Sequence, residues 1–295
     1  TTRSIVRVRD GLTVNGLLRS ERTENTSSND RDARLDFPGG RQTLGGSGSV
    51  ELFSNLTFSH QDSDIRLRPT ADGELTIGAN LTVRTAAGST IVTVGNPARP
   101  LRIEGRIETP ESGGTLRLRG SSVTNAGQIR AGGGTIEIDG LSGSLNDASV
   151  SGGTLDVDGD YVIDRPLPVD DSTLFLRGTW INEEALTATN GGVIDNSGDT
   201  LTLDQSTYTL LLDGGRIVGG NIDASDIGGS GNTPVFVTTA ADGSLYGVTI
   251  DADAIMQNGS IVYVRDGLMV NGALRMDRTN NNSSNSNDVR LYFQG

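Results

Sequence analysis

The chain has 295 residues, of which 34% are apolar and only 4% aromatic, with 41 glycines, no cysteine, a single histidine and a formal charge of −13. All its basic residues are arginine and no basic cluster stands out, which disfavours nucleic acid and anionic membranes, whose binding rests on counterion release at Lys/Arg-rich surfaces. The missing cysteines exclude disulfides, thiolate metal sites and a cysteine nucleophile, and the lone His60, read as an ordinary loop residue, excludes histidine triads and paired-histidine zinc sites.

Apolar residues alternate in short bursts and almost never recur at helical spacing, so the chain reads as many short strands joined by tight turns. Residues 4–39 return without a gap as 260–295, matching at roughly two positions in three, which is the mark of a repeat architecture. Ile5 returns as Ile261, a period of 256 residues. The closing Leu291-Tyr292-Phe293-Gln294-Gly295 resembles the remnant of an expression tag, but Leu291, Phe293 and Gly295 fall on Leu35, Phe37 and Gly39, which marks it as native.

Between the two copies the bursts run in order: Val50-Glu51-Leu52, Ile65-Arg66-Leu67-Arg68, Leu75-Thr76-Ile77-Gly78 and Ile91-Val92-Thr93-Val94-Gly95. Then comes the clearest series: Leu116-Arg117-Leu118-Arg119-Gly120, Ile136-Glu137-Ile138-Asp139-Gly140, Leu155-Asp156-Val157-Asp158-Gly159 and Leu174-Phe175-Leu176-Arg177-Gly178. Leu201-Thr202-Leu203 and Leu210-Leu211-Leu212 follow. In the clear series a threonine precedes each burst and the closing glycines step by about twenty residues, one coil of a parallel β-solenoid. Aliphatics would point inward, charges outward, and glycine would supply the corner. The expected fold is therefore all-β, a right-handed three-sided β-helix with coils of about 20 residues. That gives roughly thirteen coils and some 60 Å per period at about 4.8 Å per coil.

In domain terms, residues 1–259 read as one long-period repeat and 260–295 as the start of the next copy. Loops are expected near 20–33, with a counterpart at 276–289, and near 226–244, where Asn, Ser, Gly and Asp crowd out apolar residues. No run approaches the eighteen or so apolar residues of a membrane span, and Thr1-Thr2-Arg3 opens no signal sequence, so an export signal would lie outside this segment.

Gly40-Arg41-Gln42-Thr43-Leu44-Gly45-Gly46-Ser47-Gly48, the Gly-Gly-Thr-Leu/Ile bursts, and Asp10-Gly11-Leu12-Thr13-Val14-Asn15-Gly16 with its copy at Asp266 carry a family likeness. With them the chain resembles the repetitive β-solenoid regions of large bacterial secreted and surface proteins, of the filamentous-haemagglutinin-like and autotransporter-associated strand-repeat class. The resemblance implies an exported, extracellular or cell-surface protein acting as a fibre, an adhesin or a matrix component.

The chemistry expected is correspondingly sparse. Asp170-Asp171 is the only adjacent Asp pair, and the motifs of β-helical pectin-degrading hydrolases are missing around it. Glu137, Asp139, Asp156, Asp158 and Asp160 offer carboxylates to calcium, but Tyr161 stands where an EF-hand loop needs glycine, so a solvated acidic face is expected. Stacked coils would put Arg119, Asp139, Asp158 and Arg177 in one column and Arg117, Glu137 and Asp156 in the next. Asn25, Asn55, Asn80, Asn258, Asn281 and Asn282 head glycosylation triplets that arise easily by chance in such a composition.

No catalytic, cofactor-binding or metal-binding residue is assigned, and the chain is not read as an enzyme. The leading expectation is a structural module of a long extracellular fibre whose partners are copies of itself, in tandem or stacked end to end through uncapped ends. The alternative is an adhesin segment that binds glycans or another cell surface through its Asn/Ser-rich loops. A third, a carbohydrate-active β-helix, has only Trp180 beside Glu183-Glu184 as a local hint, and Trp180 is expected to pack on the coil instead.

Overall fold

The computed structural model describes residues 4–22, 33–55, 65–70, 72–110, 114–203, 210–224, 236–277 and 288–294. Among these residues every regular element is a β-strand, and the fold is a parallel β-solenoid with turns of about 22 residues. Each turn, or coil, contributes strands to three stacks, called here its first, second and third faces. The chain falls into two compact units, 1–160 and 161–295.

In the 1–160 unit the first face begins with Ser4–Arg7, Ala33–Phe37, Ile65–Pro69 and Ile91–Asn96. The second face begins with Leu12–Thr13, Gln42–Gly45, Leu75–Ile77 and Leu101–Ile103, and the third with Leu17–Arg22, Ser49–Ser54, Thr82–Thr85 and Arg106–Thr109. In Thr115–Asn125 and Thr135–Ser144 one strand bends through the first two faces. Because side chains alternate across a strand, one residue in two points into the coil and meets its counterparts directly above and below. Leu35, Leu67, Val94, Leu118 and Ile138 form such a column on the first face. Val50, Val83, Ile107 and Ile129 form another on the third. Apart from Leu35, these side chains are all but fully buried, each contributing about 1.5–3 kcal/mol against the entropy of ordering the chain.

In the 161–295 unit the corresponding first-face column runs Leu174, Ile194, Ile217, Leu245, Val264 and Phe293. The third face carries Leu167–Asp170, Leu186–Thr189, Leu210–Asp213, Phe236–Thr238, Ala254–Met256 and Leu274–Met276. Trp180 lies inside this unit, 2% exposed, with its ring stacked on Tyr161 at 6.2 Å between centroids and 9° between planes. It packs on the coil as expected and offers no platform to a sugar.

The alternating bursts read from the sequence are all strands, but they belong to different faces, which is why their spacing looked irregular. The clear series lies on the first face, whereas Leu75–Ile77 and Thr200–Leu203 are second-face strands and Ser49–Ser54 and Leu210–Asp213 third-face strands. Coil length also varies: the step to the next coil is 19 residues between Gln128 and Asp147 but 32 where the Asn15 corner meets Ser47. The twenty-residue coil is thus a local value. The loop expected at 20–33 begins later, since Leu17–Arg22 is strand, and its remainder at 23–32 lies outside the described residues, as do 278–287 of its counterpart. Of the loop expected at 226–244, residues up to 235 lie outside the described residues, while Phe236–Thr238 is a rung and Gly243 opens another.

The corner glycines serve two purposes. Gly159 has φ 151°, and a Cβ there would stand 2.1 Å from the Leu141 carbonyl oxygen of the preceding coil. Gly120 has an ordinary φ and is required instead by crowding, since a Cβ would stand 2.8 Å from the Ser122 carbonyl oxygen. Gly159→Ala is expected to lower stability by about 1–3 kcal/mol, seen as a lower urea midpoint; an unchanged midpoint would contradict this account of the corner.

Candidate functional site

What the fold places on its outer surface is a set of charge columns. Arg117 stands over Glu137 and Arg119 over Asp139 in the ladder register, with N to O distances of 2.6 and 3.8 Å. These are the pairs expected from stacking the glycines. Thr154 bonds back to the Gly134 carbonyl, as Thr135 does to Gly114, so Asp158 continues on the same outer side with its side chain exposed.

A longer column lies on the third face of the same unit, and the sequence reading missed it. The ladder register places Arg19, Glu51, Arg84, Glu108 and Arg130 one above another, alternating in charge at every coil. Glu51 is held from below by Arg19 at 3.6 Å and from above by Arg84 at 3.1 Å, and Arg84 reaches on to Glu108 at 4.0 Å. Beside it, Arg106 donates to Gln128 at 3.0 Å, Gln128 donates to Asp147 at 2.8 Å, and Arg130 pairs with Asp147 at 2.7 Å. Opposite charges one rung apart, about 4.8 Å, attract, and any slip that set arginine on arginine would repel. The signal lay in the residue that follows the first inward aliphatic of each third-face strand. It could be read only once the unequal coils were aligned.

On the first face Asp36, almost fully buried, sits 3.5 Å from Arg68 and 4.0 Å from Arg34. The 161–295 unit treats its outer surface differently. The equivalent third-face column there reads Pro168, Thr187, Leu211, Val237, Ile255 and Arg275, apolar for most of its length. Its first face carries Tyr263 stacked on Tyr292 at 5.6 Å, and the Tyr246 ring with Arg216 at 4.5 Å and Arg265 at 5.3 Å. Arg290 hydrogen-bonds Asp288 and then the Tyr292 hydroxyl, both of which hold its guanidinium further into the charged form.

The remaining sequence candidates do not converge. The Asp170 carboxylate accepts from the Asn190 amide at 2.7 Å, and Asp171 takes a left-handed corner with φ 44°. Glu137 and Asp139 face arginines, and among the described residues no three acidic or histidine side chains are placed to hold a metal ion. His60, Asn25, Asn281 and Asn282 lie outside the described residues, whereas Asn80 is exposed and Asn55 and Asn258 are half-buried. Among the described residues no helix is long and apolar enough to cross a membrane. Comparison with protein-family models, with curated proteins and with solved structures finds no match to this chain.

The charge columns add a modest preference for the register that the backbone ladder sets. Glu51→Gln is therefore expected to cost about 1 kcal/mol in urea unfolding, with the difference shrinking in high salt and a double-mutant cycle with Arg84→Gln showing coupling. Additivity of the two changes would mean that the pair contributes nothing.

Proposed function

We propose that the chain is a structural repeat module of a long extracellular or cell-surface filament, in which further copies of the period continue the same solenoid, covalently in tandem or stacked end to end. The observation that carries this reading is the register of the duplicated segments. Ile5, Val6 and Arg7 pair with Arg34, Leu35 and Asp36; one period later Ile261, Val262 and Tyr263 pair with Arg290, Leu291 and Tyr292. Every pair in the second set is the counterpart of a pair in the first, so the duplicated sequence builds the same rung twice.

A rung repeated in sequence and in register accepts the same following coil. Val6 and Phe293, both in inward columns, are 58% and 70% exposed, apolar surface that a further coil would bury. Parallel strand edges are adhesive, and a head-to-tail contact of this kind generates filaments rather than closed rings. The resemblance to secreted and surface solenoids of bacteria supports the same reading.

Electron microscopy of the native protein tests it. Filaments or rods are expected with an axial repeat on the order of 55 Å, from roughly a dozen coils per period at about 4.8 Å each. Compact, isolated particles at every concentration would sink the proposal.

A further inference from the structure

We propose that Arg216, Tyr246 and Arg265, on the outer surface of the 161–295 unit, form a binding site for the carboxylates of an acidic polysaccharide. The three residues come from three successive coils. Tyr246 lies directly beneath Arg265 in the ladder, and Arg216 pairs with Ser244, two residues before Tyr246 in its own strand. One phenol ring thus separates two guanidinium groups, at 4.5 and 5.3 Å from its centroid.

These arginines differ from those of the ladders. Arg84, Arg117 and Arg130 each face a carboxylate, whereas Arg216 and Arg265 are exposed and make no ion pair among the described residues. Arg265 donates its Nε–H to Gln294 at 2.8 Å, which leaves its terminal nitrogens for other acceptors. A guanidinium laid against a ring keeps its in-plane N–H donors at the edge, and the stacking fixes its plane before any ligand arrives. Such a fork binds a carboxylate through two charge-assisted hydrogen bonds. The neighbouring outward column, Arg216, Ser244, Tyr263 and Tyr292, adds hydroxyl groups at successive coils, suited to the hydroxyls between the charges of a sugar polymer.

The duplicated segment retains Arg9 as Arg265 and shows that coil stacking does not demand the tyrosines of the neighbouring column. Tyr263 and Tyr292 occupy the places of Arg7 and Asp36, and in the first copy Asp36 pairs with Arg34 and Arg68. The inward residues Val6, Val8, Leu35 and Phe37 return unchanged as Val262, Val264, Leu291 and Phe293. With a net charge of −13, the chain also suits a ligand met by a few short-range contacts better than a nucleic acid, whose binding needs many cations at once.

The test is calorimetric titration of the full 295-residue chain with oligogalacturonate, its methyl ester and single-stranded RNA. The expected result is binding of oligogalacturonate alone, weakened on the order of tenfold or more in R216Q/R265Q, with the circular dichroism spectrum unchanged because both side chains are exposed. Asp266→Asn, which removes the carboxylate next to Arg265 in the chain, should tighten binding. Equal affinity for the ester, an undiminished affinity in the double variant, or tighter binding of RNA would each overturn the proposal.

Discussion

The parallel backbone ladder between successive coils is the constraint from which everything else in this molecule follows. It fixes neighbouring strands about 4.8 Å apart and in one register, so a residue's surroundings are set less by its neighbours in sequence than by the residues one coil away. The inward columns exist because the ladder places Leu118 on Val94 and Ile138 on Leu118; no other contact is needed to align them. The same ladder explains the near absence of aromatics in the interior. Columns of β-branched and leucine side chains fill most of the narrow coil; the buried aromatics are Phe37, Phe236 and the parallel rings of Trp180 and Tyr161.

Outside the coil the ladder imposes regularity without imposing chemistry. The 1–160 unit uses it to alternate charge from Arg19 to Arg130, so that Glu51 and Arg84 each meet an opposite charge on both sides. The 161–295 unit leaves much of the equivalent column apolar and gathers tyrosines and arginines on another face. Neither solution is complete, since Asp223 stands in register with Asp251 and Arg34 with Arg66. A sheet that repeats residues in register tolerates uniform charge poorly, which is one physical reason for either pattern.

The solenoid was legible in the sequence where coils are nearly equal. Between Thr115 and Gly178 the Leu-x-Leu-x-Gly bursts recur on one face at almost constant spacing, and the Arg117–Glu137 and Arg119–Asp139 pairs followed from aligning their glycines. The third-face column was not legible, because third-face steps between coils range from 18 residues (Phe236 to Ala254) to 33 (Ser49 to Thr82) and a fixed offset of about twenty never sets Arg19 against Glu51. The Arg216–Tyr246 contact was hidden for another reason. It is diagonal, between residues two places out of register, and no periodicity in the sequence marks such a pair.

The alternation of the strand also divides what a duplicated coil inherits. Val6, Val8, Leu35 and Phe37 carry the shape and reappear intact, while Arg7 and Asp36, on the other side of the same strands, have become Tyr263 and Tyr292. One strand thus holds two interleaved texts: the inward one returns intact here, and the outward one is rewritten in part, with Ile5 and Arg34 kept as Ile261 and Arg290. A chain that lengthens by duplication can therefore change part of its outer surface while keeping these inward columns.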